Sequence, residues 1–243
     1  YYSFKTSRLL FRDMSKKLSA SLEIFKRKAD YEFGGVKLAM QKRDMSNVKL
    51  AFNYIQGFDG ASLDSTISWQ RFVKWPAGKE TPDMLSGDVD RASHIYNLNM
   101  TYLKALELSS MPAWYEMSIG AQYSPAALTI QDQFNIGNRW NVRGFENSSG
   151  VDAINGFYIQ NTLNFTTAFK GLTTFFGVDY GQVGGSQSTR QIYGGDKLMG
   201  ATGGVKGNVQ SLGYELSLSL PLLSPSKMIV DDFTAKFNIS YQL

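Results

Sequence analysis

Very few side chains in this sequence could carry out covalent chemistry. The 243 residues contain no Cys and a single His, which excludes a cysteine nucleophile, a thiolate zinc site and a multi-histidine metal site. A Ser-His-Asp triad could use only His94, and the sequence offers no evident nucleophile partner for it. We predict a protein that is not an enzyme and that needs no metal ion and no cofactor, and a hydrolase that depends on His94 stays open as the alternative.

A second set of residues could act through electrostatics. Arg143 lies in the polar connection 124–155, and Asp179 lies on the polar face of an alternating segment. The planar guanidinium of Arg143 can bind a carboxylate through two parallel hydrogen bonds. Gly144 lets the backbone turn beside it, and Phe145 can bury against a protein wall. On the residues alone, two interpretations stay open: the two charges hold the loop in place, or each is separately solvated.

The elements that position these residues are predicted to be β-strands. Apolar and polar residues alternate along most of the chain, most regularly from Phe233 to the carboxyl end, and a period of two is typical of strands with one apolar face. We count about twelve strands of about ten residues, the length that a tilted strand needs to cross a bilayer. Segments 36–43 and 48–54 are interpreted as separate strands joined by a turn at Asp44–Ser46.

Composition and loop lengths favour a membrane barrel over a soluble sandwich. Sandwich strands are usually about five or six residues long and carry many Lys and Glu, whereas the polar faces here are mainly Ser, Thr, Asn, Gln and Gly. Aromatic residues near the strand ends suit interfacial girdles. Short turns alternate with long connections, as in outer-membrane barrels. The net charge of +4 is too small to indicate a nucleic-acid partner.

The connection 124–155 contains a tetrad that resembles the loop motif of the Omp85 superfamily, namely Val142, Arg143, Gly144 and Phe145. The flanking sequences are similar to those of two-partner secretion transporters, which export large adhesins, haemolysins and contact-dependent inhibition toxins. The supporting motif residues in these flanks are Phe134, Gly137, Gly177 and Gly181. The resemblance extends from about residue 7 to residue 243.

This resemblance implies an all-β fold, an antiparallel transmembrane β-barrel with sixteen strands in the intact protein. In that family the signature loop, here 124–155, folds into the pore between the eleventh and twelfth strands. About seven strands precede the loop here and about five follow it, so residues 1–243 are expected to form the C-terminal part of the barrel, strands 5–16. The POTRA domains, the plug helix and the first strands are expected to be absent from these residues.

The resemblance also implies roles for individual residues. It pairs Arg143 with Asp179, so that the loop tip is fastened inside the pore. Asp179, Glu116 and Glu215 all fall on the lumen side by alternation, and we interpret the two glutamates as lining a wet pore. The glycine-rich stretch 194–207 lacks the spacing of a phosphate-binding loop, and we attribute it to strand bends and barrel corners.

The implied function is export of a large exoprotein from the periplasm to the cell surface, across the bacterial outer membrane. The expected partners are the amino-terminal secretion domain of that exoprotein, outer-membrane lipid and lipopolysaccharide, and the barrel assembly machinery during biogenesis. The pore is expected to be monomeric. Three alternatives stay open: a barrel-assembly factor of the same superfamily, a passive porin, and an outer-membrane hydrolase that would depend on His94.

Overall fold

The computed structural model describes residues 1–30, 32–38, 42–75, 77–90, 93–108, 111–145, 150–169, 171–185 and 187–241. Its main element is an antiparallel sheet of eleven strands. Each strand of this sheet pairs with the strand of the same sheet that follows it in the sequence, and the long loop 124–155 carries a small two-stranded sheet of its own. The predicted all-β antiparallel fold is confirmed.

The strands of the main sheet, in their order across it, are β1 (Tyr2–Arg12), β2 (Lys16–Ala29), β5 (Arg43–Phe58), β6 (Ala61–Val73), β7 (His94–Leu108), β8 (Met111–Tyr123), β11 (Asn155–Thr166), β12 (Leu172–Gly184), β13 (Lys197–Val209), β14 (Leu212–Leu223) and β15 (Thr234–Tyr241). The remaining elements are β3 (Glu32–Phe33), β4 (Val36–Lys37), α1 (Pro82–Ser86), β9 (Phe134–Ile136), β10 (Val151–Ala153) and α2 (Gln187–Tyr193).

The alternation of the sequence separates an apolar outer face from a polar inner face. On β12, Phe176 and Val178 project outwards with 61% and 46% of their surface exposed, whereas Asp179 projects inwards and is fully buried. Successive side chains of a strand point to opposite faces, so one residue of offset decides between the two environments. Thr101 on β7 and Asn238 on β15 line the same cavity of about 810 Å³. The sheet therefore curves around its inner face.

Short turns and long connections lie at opposite ends of the strands. At the short-turn end, Asp13 joins β1 to β2 through its side chain, whose Oδ1 accepts hydrogen bonds from the backbone N–H groups of Ser15 (2.7 Å) and Lys16 (2.6 Å). The other end carries the β3–β4 pair, α1, the loop with β9 and β10, and α2. Among the described residues no helix is long and apolar enough to cross a membrane.

The prediction of two strands in 36–54 was wrong. Arg43–Phe58 forms one strand of sixteen residues, and the predicted turn at Asp44–Ser46 lies inside it. Asp44 pairs with Lys28 on β2, and the Lys26 ammonium lies 2.9 Å from Asp44 Oδ1. These cross-strand partners outweigh the turn propensity of Asp and Ser. Val36 and Lys37 belong to the short pair with β3, and residues 39–41 lie outside the described part. The main sheet therefore has eleven strands where about twelve were predicted.

Candidate functional site: the inner loop and its anchor

The loop 124–155 leaves the sheet at the end of β8 and returns at the start of β11, and hydrogen bonds close its base. The backbone N–H of Ser124 donates to Asn155 Oδ1 at 2.6 Å. The side-chain amide of Gln122 donates to the carbonyl oxygens of Asp132 (2.8 Å) and Ile154 (3.1 Å). These hydrogen bonds therefore hold both ends of the loop at the edge of the sheet. Residues 146–149 of the loop lie outside the described part.

The tip of the loop has its own internal structure. β9 and β10 pair antiparallel, so that Phe134 lies opposite Ala153 and Ile136 opposite Val151. The side chain of Asn141 organises the bend that follows, because its Oδ1 accepts from the backbone N–H groups of Gly137, Asn138 and Val142, at 2.8, 3.0 and 2.6 Å. The bend delivers Arg143 to the inner wall of the sheet in a fixed orientation.

Arg143 and Asp179 form a buried ion pair with two parallel hydrogen bonds between the loop and the sheet. Arg143 Nε lies 2.6 Å from Asp179 Oδ2, and Arg143 Nη2 lies 2.7 Å from Asp179 Oδ1. The backbone N–H of Arg143 also donates to Oδ2 at 3.1 Å, and Nη2 donates to the carbonyl oxygen of Asn161 at 2.9 Å. Asp179 is fully buried and only 14% of the Arg143 side chain is exposed. Two parallel charge-assisted bonds fix both position and orientation.

Glycines on the inner wall provide the space for this contact. A Cβ on Gly177 would lie 3.1 Å from Arg143 Cζ, and a Cβ on Gly200 would lie 3.0 Å from the Arg143 carbonyl carbon. Gly181 leaves room for the Val142 side chain, 2.8 Å from where its Cβ would be. Gly144 has a φ of +100°, a conformation that favours glycine.

Around the ion pair, the tip packs in a hydrophobic cluster that excludes water. Ile136, Val142 and Phe145 from the loop are at most 1% exposed. They pack with Val183 of β12 and Leu198 of β13, and Tyr193, Met228 and Val230 cover the cluster from the outer connections. The loop tip therefore sits on β12 and β13 as a folded unit with a dry core.

The other predicted site residues lie close to this unit or on the inner wall. Phe134 stacks on Tyr158 of β11 with ring centroids 6.2 Å apart. Gly137 has a φ of +103°, and a Cβ there would meet Leu198 at 2.9 Å. Glu116 and Glu215 line the cavity of about 810 Å³ below the tip, together with Arg143 and Lys206.

Sequence reasoning missed several residues of the site. Gly200 and Leu198 belong to the glycine-rich stretch that was attributed to strand bends, yet Gly200 lies directly across from Asp179 on β13. Asn161 contributes a carbonyl oxygen to Arg143 and a backbone N–H to Asp179 Oδ1 at 3.2 Å. The signal in the sequence was Gly200, a glycine that pairs with the lumen residue Asp179 on the neighbouring strand. Recognising this pair requires the strand register, which the sequence alone does not give.

His94 lies at the long-loop end of β7. Its Nδ1 accepts a hydrogen bond from Trp69 Nε1 at 2.8 Å, and its ring stacks on Tyr96 at 6.4 Å. Within the described residues, no group of three or more His, Asp or Glu side chains could hold a metal ion. The polar contacts of His94 are thus those of an aromatic row along the strand ends.

A curved antiparallel sheet with an apolar outer face, a polar inner face and a long loop fastened inside it defines a transmembrane β-barrel with an inserted loop. The chain belongs to the haemolysin secretion/activation protein family ShlB/FhaC/HecB, whose family model matches residues 1–207. The predicted family is confirmed, and with it the location in the bacterial outer membrane and the assignment to a family of transporters rather than of enzymes.

Known relatives agree with this assignment, one of them over nearly the whole chain. The outer membrane transporter CdiB-2 of Burkholderia pseudomallei (strain 1026b) is 24% identical over 244 residues, covering 99% of this chain and 41% of the relative. The hemolysin transporter protein HpmB of Proteus mirabilis is 24% identical over 154 residues, 62% of this chain and 27% of the relative. The chain thus spans less than half the length of these relatives.

Solved structures show the same fold. CdiB from Acinetobacter baumannii superimposes with a TM-score of 0.84 at 22% identity, covering 98% of this chain and 41% of that structure. CdiB from Escherichia coli superimposes with a TM-score of 0.85 at 19% identity, covering 98% of this chain and 44% of that structure.

Proposed function

We propose that the chain is the C-terminal part of the pore of a two-partner secretion transporter, which exports a large exoprotein from the periplasm to the cell surface. The observation that carries the proposal is the loop tip held on the inner wall by the buried Arg143–Asp179 pair. A loop in this position can obstruct or guide a polypeptide that passes through the pore. A barrel that transports nothing would have no use for such a loop. The names of the relatives, outer membrane and hemolysin transporters, support the same function.

The intact protein is proposed to close its barrel with further strands. β1 and β15 each have one neighbour in the described sheet, and unpaired backbone groups at a strand edge are costly in lipid. The proposed intact barrel has sixteen strands, together with a plug helix and POTRA domains that capture the secretion domain of the exoprotein. The pore is proposed to act as a monomer and to be inserted by the barrel assembly machinery.

Transport through this pore needs no covalent step. The inner wall offers the side chains of Glu116, Gln160, Thr162, Lys206 and Glu215, which are polar and of mixed charge. A conduit works when its binding sites are weak enough to release what they bind. The proposed role of the chain's own residues is to hold the loop, to keep the path wet and to let an extended polypeptide slide past.

The test is export by cells that carry the full-length transporter with Arg143→Ala. We expect loss of the exoprotein from the cell surface and faster protease cleavage of the loop, with normal barrel assembly. Arg190→Ala is the matched control, because Arg190 also binds a carboxylate, Asp196 at 2.6 Å, but is 71% exposed on an outer connection. Normal export and unchanged protease sensitivity with Arg143→Ala would overturn the proposal.

The same variants distinguish the proposed transporter from a passive porin and from a barrel-assembly factor. A passive porin would show solute conductance without any effect on exoprotein export. A barrel-assembly factor would show defects in the assembly of other outer-membrane proteins, measured by their resistance to heat and detergent. The proposed transporter loses only exoprotein export when Arg143 is replaced.

Lipopolysaccharide is proposed as a partner of the outer wall. Strand register places Trp69, Tyr96 and Tyr123 in one row on the outer face, the position of an interfacial girdle.

The next row towards the long loops contains Arg71 and His94. Beyond it on β2 lie Lys26, which bonds to Asp44, and then Lys28, which faces Asp44 in the register. Long loops mark the cell exterior. The proposal therefore puts the side chains of Lys26, Lys28 and Arg71 at the depth of the lipid phosphates.

This partner can be tested by native mass spectrometry of the purified transporter with bisphosphorylated lipid A. We expect bound lipid A with the natural sequence and loss of it with Lys28→Gln/Arg71→Gln. Lys104→Gln is the control, because Lys104 lies on the same face near the short-turn end of β7. Equal binding by all three proteins, or equal binding of dephosphorylated lipid A, would contradict a phosphate site at this rim.

A further inference from the structure

The loop 124–155 is attached to the barrel wall at two places of different physical character. Its tip, residues 134–145 and 150–153, lies on β11, β12 and β13 and packs with buried apolar side chains. Its shoulder, residues 127–132, reaches β2 and β5 through the polar side chains of Asp132 and Gln131. We call the first contact the hinge and the second the latch.

The latch consists of two arginines on neighbouring strands. Arg27 Nη2 of β2 lies 2.5 Å from Asp132 Oδ1, and Asp132 Oδ2 accepts from Thr129 Oγ1 at 2.7 Å. On β5, Arg43 Nε donates to Gln131 Oε1 at 3.0 Å, while its Nη2 contacts Asp83 Oδ2 at 2.9 Å. The loop shoulder is therefore fixed to this wall by one ion pair and one neutral acceptor.

The wall behind the latch is incompletely satisfied. Among the described residues, Arg27 Nε and Asn47 Nδ2 are buried without a hydrogen-bond partner. Buried polar atoms nearly always have hydrogen-bond partners in stable structures. Because these two nitrogen atoms lack partners, the closed arrangement of the loop is less stable. The Arg27 side chain also retains 28% of its exposure, so water can replace the loop as its partner.

The hinge is more costly to separate. Opening it would expose Ile136, Val142 and Phe145 to water, and exposure of buried apolar side chains is unfavourable. It would also leave Asp179, which is fully buried, without its cation. Opening the latch separates Arg27 from Asp132 and Arg43 from Gln131, and water solvates these polar groups well.

We propose that the pore opens at the latch while the hinge stays closed, and that the exported polypeptide passes between the loop shoulder and the β2–β5 wall. Arg27 and Asp132 are positioning residues that hold the closed state. The inner face beside them carries Phe25 and Met45. The cross-strand pair of Glu23 and Lys49 lies further along the same strands, so the opened gap offers an extended chain both apolar and charged contacts. This inference rests on the proposed transport function.

These 243 residues contain no Cys that would compete with introduced thiols, and the test uses the full-length transporter with any Cys outside them replaced. Arg27→Cys/Asp132→Cys is treated in cells with a bifunctional methanethiosulfonate reagent, whose bridge spans the distance of the lost ion pair and is cleaved by dithiothreitol. We expect export to stop when the bridge forms and to resume after reduction. Export that continues with the bridge in place would overturn the proposal.

The matched control is Arg190→Cys/Asp196→Cys with the same reagent. This pair also replaces an arginine–aspartate contact, but it joins α2 to the connection that follows and does not reach the loop shoulder. Export is expected to persist with this bridge. If the control bridge also stops export, the effect is one of general rigidity at the rim and the latch is refuted.

A second measurement does not depend on cross-linking. In planar bilayers, Arg27→Glu is expected to raise the ratio of open to closed channels about fivefold, the effect of losing one partly solvated ion pair. Arg27→Glu/Asp132→Arg is expected to restore the closed state. An unchanged ratio in the single variant, or no recovery in the double variant, contradicts the latch.

Failure of the inference and failure of the proposed function give different results. If Arg143→Ala abolishes export but a bridged latch does not, the protein is a transporter whose path lies elsewhere. If the natural sequence exports no exoprotein, the transport function itself is wrong, whatever the latch variants do to conductance.

Discussion

Gly177 lies directly beneath the guanidinium group of Arg143, where a Cβ would be 3.1 Å from Arg143 Cζ and closer still to Nη2. The two residues are 34 positions apart in the sequence and meet only because the loop folds back onto β12. The arginine needs this glycine in order to reach the carboxylate of Asp179, two residues further along the same strand.

Gly177→Ala is therefore expected to displace the Arg143 side chain and loosen the loop tip. The added methyl group has no free space, because the guanidinium and the Asn161 carbonyl oxygen already fill it. We expect faster amide hydrogen exchange in 134–145, measured by mass spectrometry. Gly184→Ala on the same strand is the control, since nothing lies within 4 Å of its Cβ position. Equal exchange in the two variants would show that Gly177 has no such role.

Asp179→Asn should destabilise the docked loop more strongly than its small change in shape suggests. Removing one partner of a buried ion pair leaves the other charge uncompensated, at a cost of about 3 kcal/mol. We expect a lower unfolding temperature and cleavage of the loop by protease. Asp64→Asn is a suitable comparison, because Asp64 Oδ1 accepts from Asn53 at an exposed position of the inner face. Similar losses in both variants would argue against a special role for Asp179.

The two glutamates of the cavity below the loop should influence ion selectivity. Glu116 and Glu215 line it together with Lys206, and charged side chains in a pore favour ions of opposite sign. Glu116→Gln/Glu215→Gln is expected to shift the reversal potential in a KCl gradient towards anion selectivity. Glu32→Gln in the outer hairpin is the control. An identical reversal potential in all three proteins would place these acids outside the ion path.

Asp13 at the short-turn end gives the β1–β2 turn a dependence on pH. The hydrogen bond from the backbone N–H of Ser15, with that from Lys16, lowers the pKa of Asp13 below its usual value. A group whose pKa is lowered by folding stabilises the fold above its unfolded pKa and loses this effect as the pH falls through its folded pKa.

The advantage of the natural sequence over Asp13→Asn should therefore shrink as the pH falls from about 5 to about 3, around and below the ordinary aspartate pKa. Asn cannot titrate, so the variant lacks this contribution. The check is the denaturant midpoint of both proteins across this range. A difference between them that stays constant with pH would contradict the assigned role of Asp13.

The strands themselves were largely readable from the sequence. Alternation placed Phe176 and Val178 outside and Asp179 inside because the side-chain period of a strand is two whatever its neighbours are. It failed at Asp44–Ser46, where polar residues typical of a turn continue β5. Whether such residues end a strand depends on what lies beside them, and here Lys26 and Lys28 of β2 supply partners.

For the site, the sequence determined which residue types were present, and the tertiary structure decided which of them meet. The composition, with no Cys and one His, left little room for covalent chemistry, and the tetrad around Arg143 marked the loop. The register that sets Gly200 across from Asp179, and the contact of Arg27 with Asp132 over 105 positions, depend on how strands pair and how the sheet curves. Those are properties of packing between distant segments, and the local periodicity of a sequence does not contain them.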